Sequence, residues 1–245
     1  MKGVILAGGK GTRLYPLTRI TNKHLLPLYD RPMVTYAVEA LVRAGITEVM
    51  LVTGGTHAGE FFRLLGNGHE HGVDRLLYAY QEEEGGIADA LGLAERFVDR
   101  EPVAVMLADN IFERSIAPVV ANFERRPEGA RIVLARIDDP GHLVHLGVPE
   151  LDGDRVTRIV EKPAEPPSPY AVTGLYFYDD AVWDFLPSLA PSARGELEIT
   201  DVNNWYVERG AMEYDVLDGF WGDAGESIDA YYEVNDFVRA SGVNR

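Results

Sequence analysis

Short apolar runs alternate with amphipathic segments along roughly the first 140 residues of the chain. The runs are rich in valine, leucine and isoleucine and have the length of buried strands. They lie at residues 4–7, 48–52, 75–80, 103–107 and 131–135. Between them, apolar side chains recur every three or four positions, which predicts helices. These helices cover residues 32–45, a segment ending at 61–65, 87–97 and 115–123. Alternating strands and helices are typical of βαβ units with a mainly parallel sheet.

The pattern changes after about residue 140. Residues 147–151 and 155–160 flank Asp152-Gly153, a pair that favours a tight hairpin turn. A further strand is predicted at 170–178, and helices at 199–209 and 226–238. We therefore expect one α/β domain over residues 1–245, with helices on both faces of the sheet and an antiparallel insertion.

The composition is that of a globular protein, since 46% of the 245 residues are hydrophobic and 25% are charged. A formal net charge of −16 argues against nucleic acid or an anionic membrane as a partner. The chain has no cysteine, which excludes disulfides, thiolate catalysis and cysteine-bound metals. No apolar run approaches the roughly 18 residues of a membrane span, and the apolar opening is too short for a signal peptide. We expect a cytoplasmic protein.

The charge is unevenly distributed along the chain. The first 33 residues contain six basic residues and one acidic residue, whereas the remainder is strongly acidic. The only lysines are Lys2, Lys10, Lys23 and Lys162. Solvated surface bases are the usual explanation of such a cluster, and we expect this of Lys2. The same asymmetry also indicates an anion-binding segment near the N-terminus.

Glycines and polar residues follow three of the predicted strands. Residues 8–13 follow the first strand, Gln81 and Gly85-Gly86 follow the third, and Asp109-Asn110 follow the fourth. In parallel sheets, ligands bind beyond the carboxyl ends of the strands, so we expect these residues to share one edge.

The first glycine turn has the sequence Gly-Gly-Lys-Gly-Thr-Arg. It does not match the dinucleotide fingerprint, because Leu14 stands where the third glycine would be. It is not a P-loop either, because Lys10 is followed by glycine rather than serine or threonine directly. Backbone N–H groups without a neighbouring Cβ, together with the Arg13 guanidinium, nevertheless suit a polyphosphate.

With these features the chain resembles the sugar-1-phosphate nucleotidyltransferases, and within them the short form of the glucose-1-phosphate thymidylyltransferases. The resemblance covers essentially the whole chain and lies in residues 6–13, Lys23, Pro27, Gln81, Gly86, 109–110, 161–163, 172–179, 194–203, Trp221 and 223–225. It implies a Rossmann-like fold, with a nucleotide-binding part at about 1–140, a sugar-binding part at about 141–225 and a C-terminal helix at 226–245. A homo-oligomer is also implied by the resemblance.

The resemblance implies transfer of a thymidylyl group from dTTP to α-D-glucose 1-phosphate, giving dTDP-glucose and pyrophosphate, with Mg²⁺ as cofactor. The attacking phosphate is already an anion, so such a reaction needs alignment and charge neutralisation rather than a general base. UTP or another hexose 1-phosphate as substrate, or a catalytically silent nucleotide-sugar-binding protein, are the alternatives. A nicotinamide oxidoreductase is disfavoured by Leu14.

Roles for individual positions follow from the resemblance. The implied catalytic residues are Arg13, Lys23 and Lys162. The implied nucleotide-binding residues are Leu6, Gly8, Gly9, Gly11, Thr12, Arg13, Gln81, Gly86 and Asp109. The implied sugar-binding residues are Asn110, Gly147, Glu161, Lys162, Val172 and Trp221, and the implied metal ligands are Asp109 and Asp223.

Several of these residues also have ordinary structural explanations. Asp109 can simply end a strand, and Asp223 can cap a helix near Gly225. Glu161 and Lys162 can form an exposed ion pair, and Trp221 can serve packing alone.

Three positions depart from the usual family pattern. Ala108 stands in place of a common glycine, Asp89 in place of a frequent glutamine, and Leu146 in place of a common aromatic residue. Asp89 and Leu146 bear on the preference for nucleotide and sugar. Neither is among the residues expected to bind phosphate or metal.

Overall fold

The computed structural model describes residues 1–244, and a seven-stranded β-sheet runs through its centre. The strands are β1 Lys2–Ala7, β2 Pro27–Leu28, β3 Arg31–Pro32, β4 Glu48–Gly54, β5 Arg75–Gln81, β6 Val103–Leu107, β7 Asn110–Phe112, β8 Ala130–Arg136, β9 Gly147–Asp152, β10 Arg155–Glu161, β11 Tyr170–Tyr178, β12 Met212–Val216 and β13 Trp221–Asp223. The helices are α1 Val34–Arg43, α2 Ala58–Leu65, α3 Ile87–Gly92, α4 Glu95–Val98, α5 Ala117–Glu124, α6 Pro140–Leu143, α7 Ala181–Phe185, α8 Ile199–Glu208 and α9 Ile228–Ser241.

The strand order of the central sheet is β12-β8-β11-β6-β1-β4-β5. β1 pairs in parallel with β4 and β6, β4 pairs in parallel with β5, and β12 pairs in parallel with β8. β11 is antiparallel to both of its neighbours, β6 and β8. The sheet is therefore mostly parallel, as expected, and the carboxyl ends of six strands meet at one edge.

Apolar side chains cover both faces of this sheet. Along β1, Ile5 and Ala7 pack on one face with α1, α2 and α5, whereas Val4 and Leu6 pack on the other with α3, α4, α7 and α8. This alternation follows from the two-residue period of a strand. Every residue of β1 is buried, so beyond Lys2 the strand is a continuous run without the alternating polar positions of a half-exposed strand.

The antiparallel insertion consists of β9 and β10, which pair with each other apart from the central sheet. Helix α8 packs against β10. A second small pair joins β13 to β7 and brings the segment around Asp223 back to the end of β6. A third group of buried residues lies between α9 and the N-terminal segment, and includes Leu14, Met33 and Tyr231.

The predicted strands and the hairpin are confirmed with small shifts at their ends. The helix predicted from residue 32 begins at Val34, because Pro32 pairs with Pro27 in the β2–β3 hairpin. The single helix predicted at 87–97 is divided into α3 and α4 by a short break after Gly92. Within residues 1–244, no helix is both long enough and apolar enough to cross a membrane.

The expectation of a solvated Lys2 is wrong. Its side chain is buried at the start of β1, donates to the carbonyl oxygen of Val98 and pairs with Glu101 at 2.9 Å. This lysine therefore anchors the end of α4 to the sheet, far along β1 from the carboxyl edge.

Candidate active site

The carboxyl edge of the sheet brings together the segments that follow β1, β5 and β6. Ala7 is in register with Thr53 of β4, and the next residue of β4, Gly54, is in register with Gln81 of β5. Asp109 follows β6 on the other side of β1. β11 reaches the same edge at Val172, because it runs in the opposite direction.

The glycine turn after β1 depends on two residues with positive φ. Gly9 has φ 93° and Gly11 has φ 62°, conformations that favour glycine. A Cβ on Gly11 would also collide with the side chains of Thr18 and Lys23. Arg13 is exposed just beyond this turn, and no carboxylate of residues 1–244 lies within ion-pair distance of it. Its charge is thus available to a ligand.

The first cavity lies between the glycine turn and the start of α3 and has a volume of about 210 Å³. Its lining combines apolar side chains with the Gln81 amide and open backbone at the glycines. The lining residues are Leu6, Gly8, Gly9, Lys23, His24, Gln81, Glu84, Gly86, Ile87, Ala90, Leu107, Asp109 and Glu196. Gly86 has φ 99°, and a Cβ there would strike the backbone of Leu197.

The second cavity lies between the end of β6, the insertion and α8, and has a volume of about 250 Å³. It is more polar and contains four basic side chains. The basic residues are Arg13, Lys23, Lys162 and Arg194, and the lining also includes Asp109, Asn110, Gly147, Glu161, Val172, Tyr176, Glu196, Thr200, Trp221 and Asp223.

Lys23 and Asp109 line both cavities and form an ion pair with each other. The side chains of both residues are largely buried. Burial alone would lower the pKa of Lys23, but the charges of Asp109 and Asp223 outweigh it and raise this pKa. Burial would likewise raise the pKa of Asp109, yet Lys23 holds it well below its usual range. The junction of the cavities therefore contains a charged pair.

Asp223 introduces a second carboxylate at this junction. The β13–β7 pair sets Asp223 opposite Asn110, and the backbone N–H of Ala224 donates to the carbonyl oxygen of Asp109. Burial raises the pKa of Asp223 to about 7, and the negative charge of Asp109 adds to the effect. Asp223 also accepts from the backbone N–H of Gly225 at 2.8 Å, which closes a local turn, but it does not cap a helix: α9 begins at Ile228, and its N-terminal cap is Ser227.

Among residues 1–244, no three histidine, aspartate or glutamate side chains are grouped to enclose a metal ion. Two carboxylates at one junction nevertheless fit Mg²⁺, which takes one or two protein carboxylates and completes its shell with substrate phosphates and water. Burial is the main cause of the raised pKa of Asp223 and the charge of Asp109 adds to it, so a cation beside both carboxylates would favour the ionised form of Asp223. The donor set therefore fits a hard divalent cation that arrives with a phosphorylated ligand.

Glu161 and Lys162 stand at the entrance of the second cavity. Glu161 accepts a hydrogen bond from the Thr200 hydroxyl at 2.8 Å, and its other oxygen lies 3.6 Å from the Lys162 ammonium. Lys162 has φ 47°, a conformation that is uncommon for a residue with a Cβ and that often occurs at functional sites. The ion pair expected from the sequence exists, and both side chains are also accessible from the cavity.

Asn110 and Trp221 support one another beneath the second cavity. The Asn110 side-chain oxygen accepts from the Trp221 indole N–H and from the Gly174 backbone N–H, each at 2.7 Å. Its amide group donates to Asp109 at 3.2 Å. Asn110 thus orients both the carboxylate of Asp109 and the indole ring of Trp221. Trp221 is also part of the hydrophobic core, so the packing role considered for it from the sequence is present as well.

Most of the predicted site residues come together in the two cavities. Gly11 and Thr12 line neither cavity: Gly11 shapes the turn over Lys23, and Thr12 is exposed on the turn that follows. Sequence reasoning missed His24, Ile87, Tyr176, Arg194, Glu196 and Thr200 as lining residues. The segment 194–203 carried part of the resemblance, and this was the available signal for Arg194 and Thr200.

Three carboxylates surround Arg194. Its guanidinium contacts Glu198 at 2.8 Å and lies 3.7 Å from Glu161 and 3.9 Å from Glu196. These partners hold a fourth cation at the wall of the second cavity. Glu196 and Glu198 are its near neighbours in the sequence, whereas Glu161 comes from β10.

Two cavities that share a lysine and a carboxylate suit an enzyme that joins two phosphorylated substrates, and the fold and site define a transferase of this class. Sequence comparison gives the family: the chain belongs to the nucleotidyl transferase family, whose model matches residues 2–241.

Two relatives that align with nearly the whole chain are both named glucose-1-phosphate thymidylyltransferase. A glucose-1-phosphate thymidylyltransferase of Actinoplanes sp. is 43% identical over 98% of this chain and 78% of its own length. One from Neisseria gonorrhoeae is 42% identical over 98% of this chain and 83% of its own length.

Solved structures agree with these relatives. A Bacillus anthracis chain described as a glucose-1-phosphate thymidylyltransferase in complex with sucrose is 46% identical. It superposes with a TM-score of 0.92 over 100% of this chain and 98% of that one. A UDP-glucose pyrophosphorylase that is 22% identical has a TM-score of 0.83 over 98% of both chains and shares the fold.

Proposed function

We propose that the protein transfers a thymidylyl group from dTTP to α-D-glucose 1-phosphate and releases dTDP-glucose and pyrophosphate. Relatives named for this activity, at 42–43% identity over 98% of the chain, support the proposal. The observation in the molecule that carries it is the junction at Lys23 and Asp109, where two cavities meet. Two substrates held on either side of this junction would have their phosphates adjacent.

The reaction needs alignment and charge neutralisation. An oxygen of the sugar phosphate forms a bond to the α-phosphorus of dTTP, and the bond from that phosphorus to the bridging β-phosphate oxygen breaks. The electron pair of the broken bond leaves with pyrophosphate. Because the nucleophile is an anion, the protein has no proton to remove, and its contribution is to bring the two anions into line.

The basic side chains are distributed as this chemistry requires. Arg13, free of a carboxylate partner in residues 1–244, would stabilise the departing pyrophosphate. Lys23 at the junction would contact the phosphates of both substrates. Lys162, with Arg194 beside it, would bind the phosphate of the sugar.

The remaining lining residues separate into a base site and a sugar site. Leu6, Gln81 and Gly86 in the first cavity would contact the pyrimidine, together with the backbone of the glycine turn. In the second cavity, Gly147, Glu161, Val172 and Trp221 would line the sugar, with Asn110 behind them. Glu161 is suited to accept hydrogen bonds from sugar hydroxyls, since Thr200 already orients its carboxylate.

Asp109 and Asp223 would hold Mg²⁺, a proposal supported by the presence of both carboxylates in the lining of the second cavity. When bound, Mg²⁺ would offset charge on the α-phosphate and on the departing pyrophosphate. The protein groups keep the carboxylates in position: Asn110 donates to Asp109, and the Gly225 backbone donates to Asp223.

Asp223→Asn is expected to stabilise the metal-free protein by about 1–2 kcal/mol, or roughly 3–6 °C in Tm, because it removes a carboxylate whose charge is opposed by burial and by Asp109. Asparagine keeps the oxygen that accepts from Gly225. Scanning calorimetry in EDTA measures this gain, and repeating it with Mg²⁺ and dTTP should show a smaller ligand-induced rise in Tm than in the wild type.

The matched control is Asp154→Asn, which removes a carboxylate from the exposed hairpin turn. We expect its Tm to follow the wild type in both conditions. A lower Tm for Asp223→Asn in EDTA would contradict the assignment of Asp223 as a destabilising carboxylate in the metal-free protein.

The proposed transfer is tested by incubating the purified protein with dTTP, glucose 1-phosphate and Mg²⁺. Pyrophosphate release is followed by a coupled assay, and dTDP-glucose is identified by mass spectrometry. Competition between dTTP and UTP, and replacement of glucose 1-phosphate by other hexose 1-phosphates, measure substrate preference. We expect dTTP with glucose 1-phosphate to give the highest kcat/KM.

Two results would reject the proposal. Absence of pyrophosphate release with every nucleotide and sugar phosphate, in a protein that binds nucleotide-sugars, would indicate a silent binding protein. Faster turnover with UTP than with dTTP would reject dTTP as the nucleotide substrate, although the protein would still be a nucleotidyl transferase.

The proposal extends to the setting of the enzyme. We propose a single catalytic domain that acts in the cytoplasm as a homo-oligomer, without a nucleic-acid or membrane partner. The net charge of −16 supports the absence of nucleic acid. Size-exclusion chromatography with light scattering measures the oligomeric state.

A further inference from the structure

Asp89, in the first turn of α3, hydrogen-bonds the side chain of Gln81 in the first cavity. The Gln81 amide nitrogen donates to the Asp89 carboxylate at 2.6 Å and to the carbonyl oxygen of Gly86 at 3.3 Å. Both partners are acceptors, and neither a carboxylate nor a carbonyl can donate in return. The nitrogen end of the Gln81 amide is therefore turned toward α3.

The opposite end of the amide is then fixed as well. The Gln81 side-chain oxygen lies 3.0 Å from the position that a Cβ on Gly8 would occupy. Gly8 and Gln81 both line the first cavity. Within residues 1–244, no donor forms a hydrogen bond to this oxygen. The cavity thus presents a hydrogen-bond acceptor of defined orientation next to the glycine turn.

From this geometry we infer that Asp89 is a positioning residue, which orients the Gln81 amide so that the first cavity selects a base with a ring N–H. The inference rests on the proposed function, in that a nucleotide base occupies this cavity. Thymine and uracil carry a hydrogen at N3, whereas the N3 of cytosine is an acceptor. A cytosine in the same position would bring two acceptors together.

The chemistry of residue 89 matters because an amide there would not impose one orientation. An asparagine or glutamine can present either its oxygen or its NH₂ group to Gln81, so both side chains could turn together. A carboxylate accepts only, and the 2.6 Å bond sets the orientation of Gln81. Two hydrogen-bonding groups that do not match reduce affinity when both lose water on binding, so a fixed acceptor discriminates between bases.

The experiment compares dissociation constants for dTTP and dCTP by titration calorimetry, with Mg²⁺ and without sugar phosphate. We expect wild type to prefer dTTP by about 100-fold or more, as sites that hydrogen-bond a substrate N–H do. Asp89→Ala should reduce the preference to about tenfold or less. The change should come from weaker dTTP binding and from stronger dCTP binding, because the freed amide can donate to N3 of cytosine.

A double variant separates positioning from a structural role. In a Gln81→Leu background, Asp89→Ala should leave the dTTP to dCTP ratio unchanged within about twofold, because Asp89 acts through Gln81. Glu95→Ala, which removes an exposed carboxylate from the neighbouring α4, is the matched control and should bind as wild type does. An unchanged ratio in Asp89→Ala, or an equal change with and without Gln81, would overturn the inference.

These outcomes are distinct from failure of the proposed function. A wild-type protein that binds dTTP far better than dCTP, but releases no pyrophosphate, would reject the proposed transfer and leave the role of Asp89 measurable. Equal binding of dTTP and dCTP by the wild type would overturn the inference even if the transfer occurs.

Discussion

Asp109→Asn is expected to lower kcat for dTDP-glucose formation about a thousandfold, which corresponds to roughly 4 kcal/mol of transition-state stabilisation. Asp109 lines both cavities, as Glu196 does, and it is the carboxylate that forms an ion pair with the Lys23 ammonium. Asparagine has the same shape, but it lacks the charge that orients Lys23 and would hold Mg²⁺. Steady-state pyrophosphate release over a Mg²⁺ titration measures the loss.

The control again is Asp154→Asn, for which we expect wild-type kinetics. Circular dichroism at the assay temperature establishes that Asp109→Asn is folded, which is necessary because removing one member of a buried ion pair also lowers stability. A folded variant with kcat within tenfold of wild type would remove Asp109 from the mechanism.

Lys162→Ala is expected to lower kcat/KM for glucose 1-phosphate by about 100-fold to 1,000-fold, the cost of losing one cationic group that stabilises a reacting phosphate. Lys162 lines the second cavity only. The KM for dTTP should therefore stay within about twofold of wild type. Initial rates measured while each substrate is varied separately give both constants.

Lys162→Arg keeps the charge at this position and should recover part of the activity. Alanine is subject to the same backbone penalty at φ 47° as lysine, so the substitution should leave the fold intact. Arg126→Ala, which removes an exposed cation elsewhere, is the matched control. An increase in the KM for dTTP alone would contradict the assignment of Lys162 to the sugar phosphate.

Much of the fold was predictable because its signals are local. The buried strands are continuous apolar runs, and the helices of the first half show the spacing of an apolar face. The edge strand β12 was not predicted, because its sequence Met-Glu-Tyr-Asp-Val alternates apolar and polar residues over only five positions and has no continuous apolar run. It is a strand because β8 lies beside it, which is a property of the folded molecule.

The candidate site divides in the same way. The glycine turn and the polar residues at strand ends could be placed at one edge, because parallel strands deliver their carboxyl ends together. The partners of these residues could not be foreseen. Lys23 and Asp109 are 86 positions apart, and the environment of Arg194, which lies in the turn before α8, includes Glu161 at the end of β10. Asp89 was recognised as unusual, but its bond to Gln81 depends on how α3 packs against β5.

The sequence by itself determined the order of the helices and strands, the glycine turn and the cluster of basic residues near the N-terminus of an acidic chain. Each of these depends only on residue types and on near neighbours in the sequence. Only the tertiary structure decided the charge states and orientations: the raised pKa of Asp223, the buried Lys2, and the direction of the Gln81 amide. These properties depend on burial and on distances between groups far apart in the chain, and both exist only once the chain has folded.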